Sequence, residues 1–574
     1  MHQRHLFVGS AVALLASAAL STAPALATPC TNLSSLLLPH TTITSATDND
    51  SGTFVPPGAA PITGLPAFCR VTATLIPTSD SNIKVEIWLP ETTWNGRFLG
   101  TGGGGFQGVI TYGELASGIQ HGFAATNSDL GTGSSGCSPL YCGSAGNMGN
   151  PLAIFFGDPA APTTGLFGHP ERIKDFGYRA IHVMTVRGKE IANAFYQQSA
   201  RKAYFAGCST GGQNALMEAQ RFPDDYDGIL AGAAAFNRTH LHMAGLSVWQ
   251  DTHASPGRLI QPGQMTLINK GVLAQCVGRD GGANTDQFLT DPRDCHFDPK
   301  VLQCTRGNAP PACLTTDQVT TIQKYYAGTI DLVNGQIINP GSERGNETDN
   351  VLALGLAFAE RLPEPPFDGL FYWVFGASFG HPASPVNFTN FDFHHDIDKV
   401  DDKLAAVLNA VSTDLGEFRE HGGKLIMYHG WADPLIPSQT SINYFNALVA
   451  KDSHGFQQAS FGGDGSPALR RTQSYARLFM APGLYHCSGG PGPNAFDALT
   501  PLVNWVETGV APETIVATKF VNDTPPAVQM TRPLCVFPKV AKYRGSGSTS
   551  IAANFTCVTD EHDFNQTPAP KYGP

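Results

Sequence analysis

An α/β fold, with a largely parallel sheet and its functional residues gathered at one edge, is predicted by three observations. Three apolar runs, Ala203-Tyr204-Phe205-Ala206, Lys424-Leu425-Ile426-Met427-Tyr428 and Ala476-Arg477-Leu478-Phe479-Met480, read as strands, and each is soon followed by a residue able to do chemistry: Ser209, Asp433 and His486. The first run leads into a helix pattern, Asn214 to Gln220, and then another strand, Asp227-Gly228-Ile229-Leu230-Ala231, the alternation of a parallel sheet. A further run, Arg97-Phe98-Leu99, enters Gly100-Thr101-Gly102-Gly103-Gly104-Gly105, where the backbone is bare enough to approach a ligand closely.

In chain order, the basic start Arg4-His5, the apolar run from Leu6 to Leu20 and the small-x-small site Ala25-Leu26-Ala27 make residues 1–27 a secretory signal peptide. That run is short for a membrane span, and no other stretch approaches the roughly 20 apolar residues a span needs. The glycines after Leu99 are suited to an oxyanion hole, which needs bare N–H groups aimed at a developing negative charge. One donor is assigned to the N–H of Gly105, with Gly104 as its alternative beside the substrate, and the other to Thr210. A dinucleotide-binding fingerprint is the rival reading of these glycines. It fails because Gly108 breaks any helix pattern between Phe106 and Tyr112, and no βαβ unit with an acidic residue about twenty positions on is evident.

Gly207-Cys208-Ser209-Thr210-Gly211 is a G-x-S-x-G string, whose small flanking residues allow the sharp strand-to-helix turn that lifts a serine hydroxyl above the sheet. Such strings arise by chance in a chain with 62 glycines, so the partners decide. The order Ser209, Asp433, His486 along the chain, each near the end of a strand, is that of an α/β-hydrolase fold. Asp433 would orient the imidazole, and His486 would take the Ser209 proton and return it to the leaving alcohol. The distance from Ser209 to Asp433 far exceeds one strand-helix repeat, so a large lid insertion is placed at 236–413. The catalytic domain is then 28–235 with 414–574, and the tail after Pro512 wraps the core. Within the insertion, Phe367, Phe371, Tyr372, Trp373, Phe375 and Phe379 form the densest run of rings. They read as the insertion's own core, with Trp373 as the candidate to face a flat substrate. His429, ahead of Asp433, is a second candidate for the acyl pocket. His394-His395 reads as surface polarity, because neighbours on an extended segment point to opposite faces.

The formal net charge of −11, with Lys and Arg unclustered, argues against nucleic acid or an anionic membrane as partner. Twelve cysteines behind an export signal argue for disulfides rather than metal ligands, and no pair of C-x-x-C knuckles occurs. Cys208 touches Ser209 and Cys487 touches His486, so a bond between them would hold serine and histidine side by side.

At this point the chain resembles the tannase and feruloyl esterase family, through Gly207-Cys208-Ser209-Thr210-Gly211-Gly212-Gln213, Arg221-Phe222-Pro223 with Tyr226-Asp227-Gly228-Ile229, Tyr428-His429-Gly430-Trp431-Ala432-Asp433, and Pro482-Gly483 with His486-Cys487-Ser488-Gly489-Gly490. The likeness runs from Trp94-Asn95-Gly96-Arg97-Phe98 to Arg532-Pro533-Leu534-Cys535. It implies that Cys208 and Cys487 are joined and that the insertion covers an aromatic acyl group. It also implies the pairs Cys30–Cys69, Cys276–Cys295, Cys304–Cys313 and Cys535–Cys557; Cys137 and Cys142 remain for a small extra loop. The family's calcium loop corresponds to 276–286, where Val277 stands in place of the first aspartate. Asp280, Asn284 and Asp286 are the remaining candidate ligands for a structural calcium, with Arg279 beside them weakening the site. No cofactor is expected for catalysis.

The resulting expectation is an exported serine carboxylesterase acting on esters of aromatic acids, feruloyl or other hydroxycinnamoyl or galloyl, through an acyl-enzyme. The second reading is a terephthalate monoester hydrolase. Family members of that kind hold the free carboxylate with a lid arginine, and this chain has none between Arg361 and Arg419. A non-catalytic secreted binding protein is the third.

Overall fold

The computed structural model describes residues 28–133, 170–348, 388–453 and 466–559. The signal peptide, Cys137 with Cys142, and the ring-rich run containing Trp373 lie outside the described residues.

Among the described residues, nine strands form one sheet: β1 (Thr41–Asn49), β2 (Phe68–Leu75), β3 (Ile83–Pro90), β4 (Arg97–Thr101), β5 (Ala124–Ser128), β6 (Lys202–Cys208), β7 (Gly228–Gly232), β8 (Lys424–Gly430) and β9 (Ala476–Ala481). Their order across the sheet is β1-β2-β3-β5-β4-β6-β7-β8-β9. The first three and the β3/β5 junction pair antiparallel, whereas every junction from β5 to β9 is parallel. The parallel strands are buried on both faces, which is why they read as continuous apolar runs rather than alternating ones. Alternate residues serve two separate cores: Phe98, Phe205, Leu425 and Met427 on one face, Leu99, Tyr204, Ile426 and Phe479 on the other.

Helices α1 (Tyr112–Gln120), α2 (Ala180–Tyr196) and α3 (Thr210–Arg221) supply the crossovers among β4, β5, β6 and β7. Ile181, Met184, Leu216 and Met217 bring α2 and α3 onto the first face. The second face is covered from the C-terminal part of the chain, by Leu502, Val503 and Trp505 and by Ile515, Ala517, Leu534 and Val536. The tail thus wraps the sheet, anchored by the N–H of Phe537 on the carbonyl of Leu478.

Between the neighbouring strands β7 and β8 the chain leaves the sheet and forms α4 (Arg238–His253), α5 (Pro262–Cys276), α6 (Thr316–Ala327) and α7 (Asp396–Leu408). The two middle helices share a core of their own, including Ile268, Val272, Phe297, Leu314 and Ile322. The flanking helices mainly join the main core, through Met243 and Leu246 of α4 and Val400, Leu404 and Leu408 of α7, although Val248 of α4 also packs against the insertion's core. His394 pairs with Asp331 across two segments of the insertion, whereas His395 pairs with the nearby Asp392 on the exposed surface.

Candidate active site

The C-terminal ends of β4, β6, β7, β8 and β9 lie on one edge because these strands are parallel. Registers align Thr101 with Ala206, Cys208 with Gly232, Gly232 with Tyr428 and Gly430 with Ala481. The loops carrying Gly102 to Gly105, Ser209, Asp433 and His486 therefore emerge together.

Ser209 occupies the turn from β6 into α3 with φ 64 and ψ −118, a conformation costly for any residue with a Cβ. Three backbone bonds hold it there: its N–H donates to Gly232, and its carbonyl accepts from Gln213 and Ala235. The flanking glycines have a steric reason. A Cβ on Gly207 would stand 2.6 Å from the Gly211 backbone, and one on Gly212 would stand 2.3 Å from the Gly232 carbonyl oxygen. Only glycine lets α3 start this close to the sheet.

His486 Nδ1 lies 2.7 Å from Asp433 Oδ2. Since a carboxylate only accepts, Nδ1 carries the hydrogen and Nε2 is left to take a proton. Asp433 is fully buried, and its other oxygen accepts from the N–H groups of Leu435 and Ile436 at 2.8 and 3.0 Å. Burial alone would raise its pKa. The charge attraction of His486 and the hydrogen bonds from His429 and His486 overcome that and hold the carboxyl well below its usual range. Cys208 and Cys487 are bonded, with Cα atoms 6.0 Å apart across 279 residues of sequence, which ties the serine turn to the histidine loop. The pairs Cys30–Cys69, Cys276–Cys295, Cys304–Cys313 and Cys535–Cys557 are present as well.

The glycine loop is stitched to the start of α3. The Gly211 N–H donates to Gly103 O at 2.6 Å, and the Thr210 hydroxyl donates to the Gly105 carbonyl. As first residue of the helix, Thr210 has an N–H with no acceptor inside the helix. Gly105 takes φ 59, while Gly104 is exposed with open space where a Cβ would stand. Gln107 fixes the far side of the loop, its amide donating to Ser128 and Val109.

His429 is not on a pocket wall. It is completely buried behind the carboxylate, with Nε2 3.1 Å from Asp433 Oδ2 and 3.0 Å from Ile436 O, and Nδ1 2.7 Å from Ser441 Oγ. Two acceptors at Nε2 place the hydrogen there, and Nδ1 accepts from Ser441. A strand-end position alone could not tell the two roles apart, because the side chain turns inward at the same height as the loop.

The donor set expected for calcium does not fit that ion. Asp280 already accepts from the N–H groups of Gly278, Gly282 and Thr290. Asp286 accepts from the Ala283 N–H and, at 2.6 Å, from the buried guanidinium of Arg532, while Asn284 is exposed. Arg532 supplies the positive charge that an ion would bring.

Three further contributors carry no signal in the sequence. From the insertion, Asn346 donates to the Asp433 carbonyl at 3.3 Å, and Glu343 accepts from the Ser438 hydroxyl and the Gln439 N–H, both at 2.7 Å. Arg238, alone among small and polar residues in sequence, reaches Thr210 and Gln213.

The model of tannase and feruloyl esterase matches residues 69–558. The chain belongs to the tannase and feruloyl esterase family. An uncharacterized esterase of Xanthomonas campestris pv. campestris is 35% identical, over 98% of this chain and 96% of that protein. The mono(2-hydroxyethyl) terephthalate hydrolase of Piscinibacter sakaiensis is 30% identical, over 88% of this chain and 86% of its own length. The crystal structure of feruloyl esterase B from Aspergillus oryzae superposes with a TM-score of 0.78 at 27% identity, covering 92% of this chain and 99% of that one. With that family membership, the α/β-hydrolase fold is settled and the protein is a carboxylic ester hydrolase.

Proposed function

We propose that this protein is an exported serine esterase that hydrolyses esters of aromatic acids, feruloyl or related hydroxycinnamoyl or galloyl, with Ser209 as nucleophile. The observation that carries the reading is the His486–Asp433 pair bridged through Cys487 to the residue before a strained serine. In the first step Ser209 Oγ attacks the ester carbonyl carbon while its proton passes to His486 Nε2. The imidazolium is stabilised by Asp433, whose charge is kept by its hydrogen bonds. The carbonyl oxygen becomes an alkoxide, for which the N–H groups of Thr210 and Gly105 are the proposed donors. Collapse expels the alcohol with the proton from His486 and leaves an acyl-serine. Water, deprotonated by His486, then attacks the acyl carbon, and the acid departs as Ser209 recovers its proton.

The aromatic acyl group is supported by the feruloyl esterases and the terephthalate monoester hydrolase among the relatives. That last relative favours a second reading, terephthalate monoester hydrolysis. The five disulfides among the described residues support an oxidising compartment. No helix of the described residues is long and apolar enough to cross a membrane.

The test measures kcat/KM on methyl ferulate, methyl gallate and mono(2-hydroxyethyl) terephthalate for the parent and for Ser209→Ala. Loss of a nucleophile of this type costs on the order of 10⁶ in kcat. Ser209→Ala activity within tenfold of the parent overturns the assignment, and a preference for the terephthalate monoester selects the second reading.

A further inference from the structure

Arg238 begins α4 and is almost completely buried, 4% exposed. Among the described residues no carboxylate pairs with it. Its Nε donates to Gln213 Oε1 at 2.8 Å and its Nη2 to Thr210 Oγ1, whose own hydroxyl donates to the Gly105 carbonyl. Two aromatic rings complete its surroundings, Phe176 and Phe106, with centroids 4.9 and 5.6 Å from the guanidinium carbon. Burial pulls its pKa down to about 9, still above neutrality, so the group is a cation at pH 7.

A buried cation without a counter-ion is costly, and two ring faces with two neutral acceptors return only part of that cost. The location makes it costlier in the resting protein. Thr210 and Gln213 lie in the first turn of α3, where the Thr210 N–H has no acceptor inside the helix and the dipole presents its positive end. Two positive potentials thus overlap beside Ser209. Such a field becomes favourable when a negative charge develops within it, which is what an alkoxide formed at Ser209 supplies, and preorganised charge in a water-poor site acts strongly there. The hydrogen-bond chain from Arg238 also ends on both residues assigned to the oxyanion, Thr210 directly and Gly105 through the Thr210 hydroxyl.

We infer that Arg238 is a positioning residue for the oxyanion: its guanidinium holds Thr210 and Gly105 in register and adds a fixed positive potential to the transition state for ester attack. The inference rests on Ser209 being the nucleophile. Arg238 touches neither substrate nor the reacting atoms, so its signature is a fall in kcat at nearly constant KM.

The experiment uses the full-length protein, Arg238→Gln, Arg238→Lys and Ser209→Ala, each checked by circular dichroism and thermal melting. Rates are read on 4-nitrophenyl acetate, and the tetrahedral state is probed by the inhibition constant of phenylboronic acid. Expected for Arg238→Gln are a kcat at least about tenfold lower, below the hundredfold or more for removing a direct donor, a KM within about threefold, and a boronate constant raised by the factor that kcat falls. Its melting temperature should be unchanged or higher, since an unpaired buried charge has gone. Arg238→Lys, which keeps the charge without the fork, should lie several-fold above Arg238→Gln in kcat. A Gln variant within threefold of the parent, a Lys variant no better than Gln, or an unchanged boronate constant overturns the inference. If only the Lys variant folds, a boronate constant within threefold of the parent supports it and one tenfold higher refutes it. Active Ser209→Ala brings down the nucleophile reading and this inference with it; inactive Ser209→Ala beside an unaffected Arg238→Gln brings down this inference alone.

Discussion

Replacing Gly102 by alanine pries apart the seam between the glycine loop and α3. The added Cβ would stand 2.6 Å from Gly211 Cα and 3.1 Å from Phe205 Cζ. Ordinary contact begins at 3.4 Å, so relief against the Gly211 backbone requires about 0.8 Å (3.4 − 2.6) of separation. Two bonds cross this seam, Gly211 N–H to Gly103 O at 2.6 Å and the Thr210 hydroxyl to Gly105 O. The first would stretch to about 3.4 Å, beyond the good range for an amide hydrogen bond. The assigned oxyanion donors, Thr210 and Gly105, sit on opposite sides of the seam and would part by nearly the same distance. A misplacement of about 1 Å costs roughly a hundredfold in rate, ~2.7 kcal/mol of barrier. Overpacking adds a stability loss of about 1–3 kcal/mol. Steady-state kinetics on 4-nitrophenyl acetate, paired with a thermal melt, should therefore show kcat reduced about a hundredfold at a modest loss of melting temperature. Gly113→Ala is the control, because nothing stands within 4 Å of its Cβ position and it lies outside the glycine loop, and it should stay within about threefold on the same ester. Gly102→Ala with a parental kcat, or Gly113→Ala as the more damaging change, would show that the seam does not set the anion site.

Two other perturbations have definite signs. Glu218 in α3 is fully buried, with a carboxyl oxygen within 4.8 Å of one on Asp225. Burial, then the Asp225 charge, raises its pKa well above 4.5. A carboxyl raised on folding contributes stability below its unfolded pKa and loses it as pH rises through the folded value. Glu218→Gln, neutral throughout, should thus gain more in melting temperature over the parent at pH 8 than at pH 4.5; equal gains at both would refute the protonated resting state. For the insertion, 5 mM-scale EDTA should leave the melting temperature within about 1 °C, because Arg532 already fills the place of an ion beside Asp286. Arg532→Met should cost about 3–5 kcal/mol by stranding that buried carboxylate, without rescue by added calcium. A chelator-induced fall in the parent would reinstate the metal.

Legibility from sequence followed the range of the interactions. Strands β6, β8 and β9 were readable because burial on both faces leaves continuous apolar runs, and the helix after Ser209 because its formers end at Phe222-Pro223. The meeting of Asp433 with His486, and the tie from the Ser209 turn through Cys208–Cys487, follow from residue types whose chain order is informative. Arg238 was not, since an isolated arginine looks alike whether it meets solvent or a helix terminus, and only the tertiary contact of α4 with α3 decides. His429 was misplaced for a related reason: its position was right, but the direction of its side chain depends on Ser441 and Ile436, which lie beyond the turn. In the calcium loop the sequence could not show that the partner of Asp286 is Arg532, 246 residues away.

In the proposed mechanism the insertion has a part in orienting Asp433 that a cover alone would not have. Asp433 keeps its charge in a fully buried place partly because Leu435 and Ile436 aim their N–H groups at Oδ1, which requires the loop after Asp433 to hold one shape. That loop is fastened from the insertion: Asn346 on the Asp433 carbonyl, Tyr325 on the Pro434 carbonyl at 3.3 Å, and Glu343 on Ser438 and Gln439. Glu343 accepts a backbone N–H and a hydroxyl at once, so it fixes the loop where it turns into the helix Gln439–Asp452. Excising residues 236–413 would remove these fastenings together with any contacts to an acyl group, and a fall in rate on every ester would follow from the acid loop alone. Recognition and orientation therefore separate only through substitutions that leave Tyr325, Glu343 and Asn346 in place. Under the proposed mechanism, selectivity between aromatic acids is to be sought among insertion residues outside that set, because only those would change which ester is bound without disturbing the carboxylate proposed to serve every ester.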